Sequence, residues 1–227
     1  MTVRKTSAFA AERKKPKHGT LDFYPTPAWA TEALFENILT NWECFIGGNF
    51  VCWEPACGKG HMSDVLNGYF TSVVSTDVKD YGYAEMDCVF NFITGDLNNL
   101  NILDVDWIIT NPPFNLADKF ILRALNIAEF GVAIFARIQL LEGAFRYHNL
   151  YSKEPPTIIA PFASRVNLKE GGLSDKSGQM MFAWYVWERN RFSSRLNKKP
   201  PKVIWIPPRG RGNPRQKKMF DKKDAEK

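Results

Sequence analysis

Short apolar runs rich in β-branched and aromatic residues recur along the chain, split by polar, glycine- or proline-bearing segments. Such runs predict strands, and several of the intervening segments carry helical spacing. The first strand opens "FVCWEPACGKGHMSDVLNG" (50–68), in which a glycine-bearing loop leads to a short helix that stops at Gly68. Further strands are expected at 72–77 ("SVVSTD"), 90–97 ("FNFITGDL"), 105–110 ("VDWIIT"), 131–138 ("GVAIFARI"), 157–162 ("TIIAPF") and 179–189 ("QMMFAWYVWER"). A last, shorter candidate is 202–207 ("KVIWIP"). Helices are expected within 22–39, over 115–130 and near 141–151. In the first of these, Thr26 suits the N-cap, Pro27 the first helical position, and Trp29, Ala33 and Leu34 begin an apolar face.

Strands alternating with helices predict an α/β fold: a seven-stranded, mostly parallel sheet with helices on both faces. The two late strands lack a helix between them, which predicts an antiparallel pair at one edge. Residues 20–207 form the expected domain, and the loops 163–178 and 188–202 are its only room for added recognition elements.

The segment "WIITNPPF" (107–114) ends a strand in an amide, two prolines and an aromatic ring. Prolines cannot extend a central strand, so the chain must leave the sheet there. Asn111 offers a side-chain oxygen, and rigid backbone lets the Pro112 carbonyl point to the same place. Two neighbouring acceptors suit a planar exocyclic –NH₂, one for each hydrogen. Such an amine is a poor nucleophile, and acceptors that strengthen as it attacks stabilise the transition state. Phe114 is suited to stack on the base that carries the amine.

The other strand ends fit a ligand at the same sheet edge. The glycines of "EPACGKG" allow close approach to the backbone. Asp77, at the second strand's end, suits the two hydroxyls of a ribose, and Asp96 an adenine amino group. The triphosphate loop GxxxxGK[ST] is missing, and the GxGxxG spacing is not met after Gly60, which points to a nucleotide-like ligand without a triphosphate. Cys57 lies in the glycine loop with no histidine placed to activate it and reads as a small packing residue.

Charge changes the picture only at the ends. Residues 1–19 carry a net +5 and residues 195–227 a net +9, whereas 20–194 carry −8. The basic ends, 1–19 and 208–227, read as flexible arms with a phosphate-binding footprint. The cysteines Cys44, Cys52, Cys57 and Cys88 form no CxxC pair, which argues for reduced thiols rather than a zinc site. No secretory leader or bilayer-length apolar run is visible, so the expected compartment is the cytoplasm.

In order, "DFYPTP" (22–27), "EPACGKG" (54–60), "STD" (75–77), "GDL" (95–97) and "NPPF" (111–114) resemble the amino-group DNA methyltransferases. The resemblance is closest to the N6-adenine type in which cofactor motifs precede the catalytic one. "ARIQLLEG" (136–143) and "AWYVWER" (183–189) resemble later segments of small phage-type members, so the likeness spans 22 to about 206.

The resemblance implies a Rossmann-like methyltransferase fold, S-adenosylmethionine as cofactor, DNA as partner and no metal. It places Phe23, Tyr24 and Thr26 near the cofactor's methionine part, and Glu54, Ala56, Gly58 and Gly60 in the loop beneath it. Asp77 would hold the ribose; Asp96 and Leu97 belong to the adenine segment. Asn111, Pro112, Pro113 and Phe114 would hold a flipped target adenine. The family's second aromatic wall has no counterpart at Leu168, for which Phe162 and Phe192 are candidate substitutes. Methylation of cytosine N4, of RNA adenine or of a protein glutamine uses the same chemistry and stays open. A silent nucleic-acid-binding module is the alternative of another class.

Overall fold

The computed structural model describes residues 24–39, 49–100, 104–169, 172–173, 180–189 and 200–208. Residues 1–19 and 209–227, Phe23, Cys44, Phe192 and parts of the two expected recognition loops (170–171, 174–178 and 190–199) lie outside them.

Eight strands form one mixed sheet: β1 (Val51–Glu54), β2 (Ser72–Asp77), β3 (Cys88–Val89), β4 (Trp107–Thr110), β5 (Gly131–Arg137), β6 (Ile158–Pro161), β9 (Phe182–Glu188) and β10 (Lys202–Val203). Their order is β10-β6-β9-β5-β4-β1-β2-β3. A separate two-stranded piece joins β7 (Leu168–Lys169) to β8 (Gly172–Leu173), inside the expected recognition loop. The helices are α1 (Ala28–Asn37), α2 (Ser63–Leu66), α3 (Ala117–Ile127) and the single turn α4 (Ala144–Arg146), which runs into a π-helical turn at Tyr147–Tyr151.

The central strands are apolar throughout because both sheet faces are covered. All four residues of β4 are buried, as are the first six of β5 and of β9. Their side chains alternate between two cores. Trp107, Ile109, Ala133, Phe135 and Trp184 face one way and pack with Leu34 and Phe35 of α1. Ile108, Val132, Ile134, Tyr185 and Trp187 face the other way and pack with Phe120 and Ile121 of α3. Gly131 pairs with Trp107 across the β4–β5 ladder, and a β-carbon there would stand 2.2 Å from the indole ring. Only glycine lets the two strands meet at that point.

The fold class is as expected, and four details differ. The sheet has eight strands, the eighth being the two-residue edge strand β10. The antiparallel strand is β9, and it lies inside the sheet between β5 and β6, whereas β10 runs parallel to β6. Residues 90–97 are not a strand. The Asn91 side chain accepts from the backbone N–H groups of Ile93 and Thr94, and Arg123 donates to the carbonyls of Ile93 and Gly95. Backbone groups that would have joined a ladder are thereby consumed in turns. Finally, α1 starts one residue later than expected. Pro27 is its extended N-cap, and Thr26, one residue outside the helix start, accepts with its hydroxyl from Asn111 Nδ2.

Among the described residues, no helix is long and apolar enough to cross a membrane.

Candidate active site

The carboxyl ends of β1, β2 and β4 open onto one cavity of about 380 Å³. Glu54 ends β1, Asp77 ends β2, and Asn111 follows β4. Parallel pairing of β1 with both β2 and β4 brings these three residues to one edge. This is the edge at which open α/β sheets bind ligands.

The loop after β1 is shaped by two left-handed glycines, Gly58 (φ 55°) and Gly60 (φ 81°). A β-carbon on Gly60 would meet the Tyr83 ring at 2.1 Å, so its requirement for glycine is steric as well as conformational. The Gly58 N–H donates to Asp77 Oδ2 at 2.9 Å, which ties this loop to the end of β2. Asp77 is 8% exposed. Burial raises its pKa above the ordinary carboxylate value, opposed by the hydrogen bonds from Gly58, Lys79 and Val78.

Glu54 is 2% exposed and lines the cavity floor. Ser63 Oγ donates to its Oε2, and Ser75 Oγ donates in turn to Ser63 Oγ at 2.7 Å. Burial pushes the Glu54 pKa up to about 8, with the nearby Asp77 charge adding to the rise. In the empty cavity Glu54 thus holds its proton near neutral pH, and a cationic ligand placed beside it would favour the ionised form. Cys57 lines the same cavity, and burial together with the Glu54 and Asp77 charges pushes its thiol up. A thiol held in that form is no nucleophile at neutral pH, which agrees with its reading as a packing residue.

Asn111 is half-buried at the opposite wall. Its Nδ2 donates to the Tyr24 carbonyl at 2.9 Å and to Thr26 Oγ1 at 3.0 Å. The carbonyl can only accept, so the amide cannot be turned round without losing that bond. Both Nδ2 hydrogens are engaged, and Oδ1 is left as the acceptor. The segment before α1 thus orients the amide across a sequence separation of 85 and 87 residues.

Of the other expected site residues, Tyr24, Thr26, Ala56, Gly58 and Pro113 line the cavity. Pro112 and Gly60 are buried and are not part of the lining, and the Pro113 carbonyl accepts from the Leu116 N–H in the turn into α3. Phe114 is half-buried and is not part of the lining. The Arg137 guanidinium lies 3.7 Å from its ring centroid, and the Tyr24 ring lies 5.0 Å away. Asp96 and Leu97 also lie off the cavity. Asp96 instead caps a 3₁₀ turn, Leu97–Asn99, by accepting from the Asn98 N–H at 3.0 Å. Residues 91–94 line that end of the cavity together with Leu116, Lys119 and Phe120. The Asx turn at Asn91 is what puts them there, and its one signal in the sequence is Asn91 itself, set among strand-like residues. Phe162 is no pocket wall: it is 4% exposed in the core, edge-on to Trp29 at 5.5 Å.

His61, Met62, Val78 and Tyr81 also line the cavity without having been anticipated, as do Pro25 and Pro55. Burial lowers the His61 pKa from its ordinary value, the Lys59 charge adding to this and the Asp64 charge opposing it.

No protein-family profile matches the chain, and no curated protein sequence is similar to it. Solved structures share its fold. One is the methyltransferase subunit of a type I restriction-modification system from Streptococcus thermophilus, at TM-score 0.56 and 11% identity over 91% of this chain. This chain spans about half of that protein's length, 54%. Another is a candidate RNA methyltransferase from Pyrococcus horikoshii, at TM-score 0.53 and 19% identity, covering 74% of this chain and 87% of that one. The architecture is the Rossmann-like methyltransferase fold.

Proposed function

We propose that the protein is an S-adenosylmethionine-dependent methyltransferase that acts on N6 of adenine in DNA. The observation that carries this reading is the pinned amide of Asn111, whose remaining acceptor stands at the wall of an acidic cavity in a methyltransferase fold.

The residues present fit the cofactor. The volume suits a ligand of its size, since small-molecule sites typically run from about 300 to 1,000 Å³. The buried carboxyls of Glu54 and Asp77 favour a ligand that is cationic at sulfur and at its amine. Asp77 would accept from the ribose hydroxyls, and residues 91–94 with Phe120 would enclose the base. Tyr24, Thr26, Ala56, Gly58 and Gly60 would form the methionine end. Bound there, the cofactor supplies an electrophilic methyl group on a sulfonium.

Asn111 Oδ1 and the Pro112 carbonyl would each accept one hydrogen of the target amine. This favours the electron density that N6 needs as it attacks. Proteins of this fold include one from a type I restriction-modification system and a candidate RNA methyltransferase, so the nucleic acid is a point for experiment. The basic segments at both ends supply charge for a phosphate backbone. Tritiated S-adenosylmethionine is offered with unmethylated DNA, RNA or total protein, and labelled DNA is digested to nucleosides. Label in N6-methyldeoxyadenosine supports the proposal. Label in N4-methyldeoxycytidine, RNA or glutamine moves the activity to that substrate.

A further inference from the structure

Arg137 is the last residue of β5 and is not part of the cavity lining. The β4–β5 ladder pairs Thr110 with Ile134, and β5 runs on three residues further, to Arg137, alongside the turn that carries Asn111 and Phe114. Its backbone is held from the other side, where Arg137 pairs with Phe182 of β9 and its carbonyl accepts from Tyr185 Oη at 3.1 Å. The side chain thus starts from a rigid strand. It places the guanidinium 3.7 Å from the Phe114 ring centroid. A guanidinium is planar and permanently charged, and the face of an aromatic ring is the negative part of its quadrupole. The contact is therefore attractive as well as close.

Phe114 lies where such a hold matters. It sits in the turn between β4 and α3, and no ladder fixes the backbone there. Its ring also meets Tyr24 at 5.0 Å and Phe182 at 6.3 Å. Tyr24 in turn belongs to the irregular stretch 24–27. The Tyr24 carbonyl is the acceptor that fixes which way the Asn111 amide faces, at 2.9 Å from Nδ2. A continuous run of contacts therefore leads from Arg137 through the Phe114 and Tyr24 rings to the amide. If the Phe114 ring loses its partner, the Tyr24 ring loses a fixed surface, and the carbonyl on the same residue is freed with it.

We propose that Arg137 is a positioning residue for Asn111: stacked on Phe114, it holds Tyr24 and thereby the carbonyl that aims the amide. The consequence for transfer rests on the methyltransferase reading, whereas the consequence for the amide does not.

The test follows the amide itself by nuclear magnetic resonance and measures transfer beside it. Wild type, Arg137→Met and Arg137→Lys are labelled with heavy nitrogen, and the Asn111 side-chain signals are identified as the pair missing from Asn111→Ala. Met keeps a long apolar stem and removes the charged plane, whereas Lys keeps a charge without the plane. Melting curves without ligand confirm that each variant folds. In Arg137→Met the Asn111 Nδ2 hydrogens should exchange with solvent about 3- to 30-fold faster than in wild type, the worth of one partly buried cation–π contact. Arg137→Lys should fall between the two. Single-turnover transfer to unmethylated DNA at saturating cofactor should slow in the same order. A merely structural role would lower the melting temperature and leave the amide exchange and the saturated rate where they are. Unchanged amide exchange in folded Arg137→Met, or an unchanged rate where wild type transfers, overturns the assignment. Faster exchange in Arg137→Met together with no transfer by wild type keeps the hold on the amide and overturns the methyltransferase reading.

Discussion

Replacing Thr26 by Val tests whether the segment before α1 controls the Asn111 amide and, on the proposed function, methyl transfer. The change keeps shape and removes one acceptor. Thr26 is 3% exposed, so no water takes the hydroxyl's place. Asn111 Nδ2 then keeps its 2.9 Å bond to the Tyr24 carbonyl and loses its 3.0 Å bond to Thr26. A lost hydrogen bond that leaves a buried donor unmet costs about 1–3 kcal/mol. Part of that cost lowers folding stability. The part that loosens the amide raises the barrier to transfer, and each ~1.4 kcal/mol is tenfold in rate. With about 1–2 kcal/mol of it on the barrier, single-turnover methyl transfer should slow by roughly 5- to 30-fold. Thr26 also lines the cavity, so the rate is read at saturating cofactor and affinity is measured beside it. Thr26→Ser retains the acceptor and should stay close to wild type. An unchanged rate in Thr26→Val, or a loss confined to cofactor affinity, refutes the positioning argument.

Other changes probe the cavity floor, the loop tie and the sheet. Glu54 has a folded pKa of about 8 against 4.5 unperturbed, so between those values the folded protein holds a proton that the unfolded chain has lost. Stability should therefore fall as pH rises from about 4.5 to 8 and level off above. In Glu54→Gln, urea unfolding across that range should lose this component of the slope, and an unaltered profile would place the titration elsewhere. Asp77→Ala removes the acceptor of the Gly58 N–H and the proposed ribose partner, so cofactor affinity should drop more than DNA affinity in parallel titrations. Gly131→Ala drives a β-carbon to 2.2 Å from the Trp107 ring and should cost about 1–3 kcal/mol in denaturant unfolding. A neutral result there would show that the indole can move aside.

The central strands were legible because burial on both faces leaves few alternatives to long apolar runs. β2 was expected at 72–77 and is found there. β4 and β5 lie within the expected 105–110 and 131–138. The glycine loop and the Asn111 turn were legible for a different reason: prolines and glycines restrict the backbone locally. Strand order was not, since periodicity records which face a side chain takes and says nothing of lateral neighbours. That is why β9 was expected at an edge and is found between β5 and β6. The segment 90–97 misled because Phe90, Phe92 and Ile93 supply a strand's apolar content. Asn91 diverts the backbone into a turn that brings 91–94, rather than Asp96, to the cavity. Thr26 was a plausible cap on local grounds, but a partner 85 residues away takes its hydroxyl. Arg137 over Phe114 is a tertiary pairing between the last residue of β5 and the turn after β4, visible only once β4 and β5 are side by side.

The central claim is that Asn111 carries transfer to an adenine amine. The most direct measurement compares wild type with Asn111→Ala on unmethylated DNA, with mass spectrometry of the released nucleosides and cofactor binding measured on the same preparations. The account predicts N6-methyldeoxyadenosine from wild type, none from Asn111→Ala, and cofactor binding retained in both. N6-methyldeoxyadenosine produced by Asn111→Ala at close to the wild-type rate would contradict it.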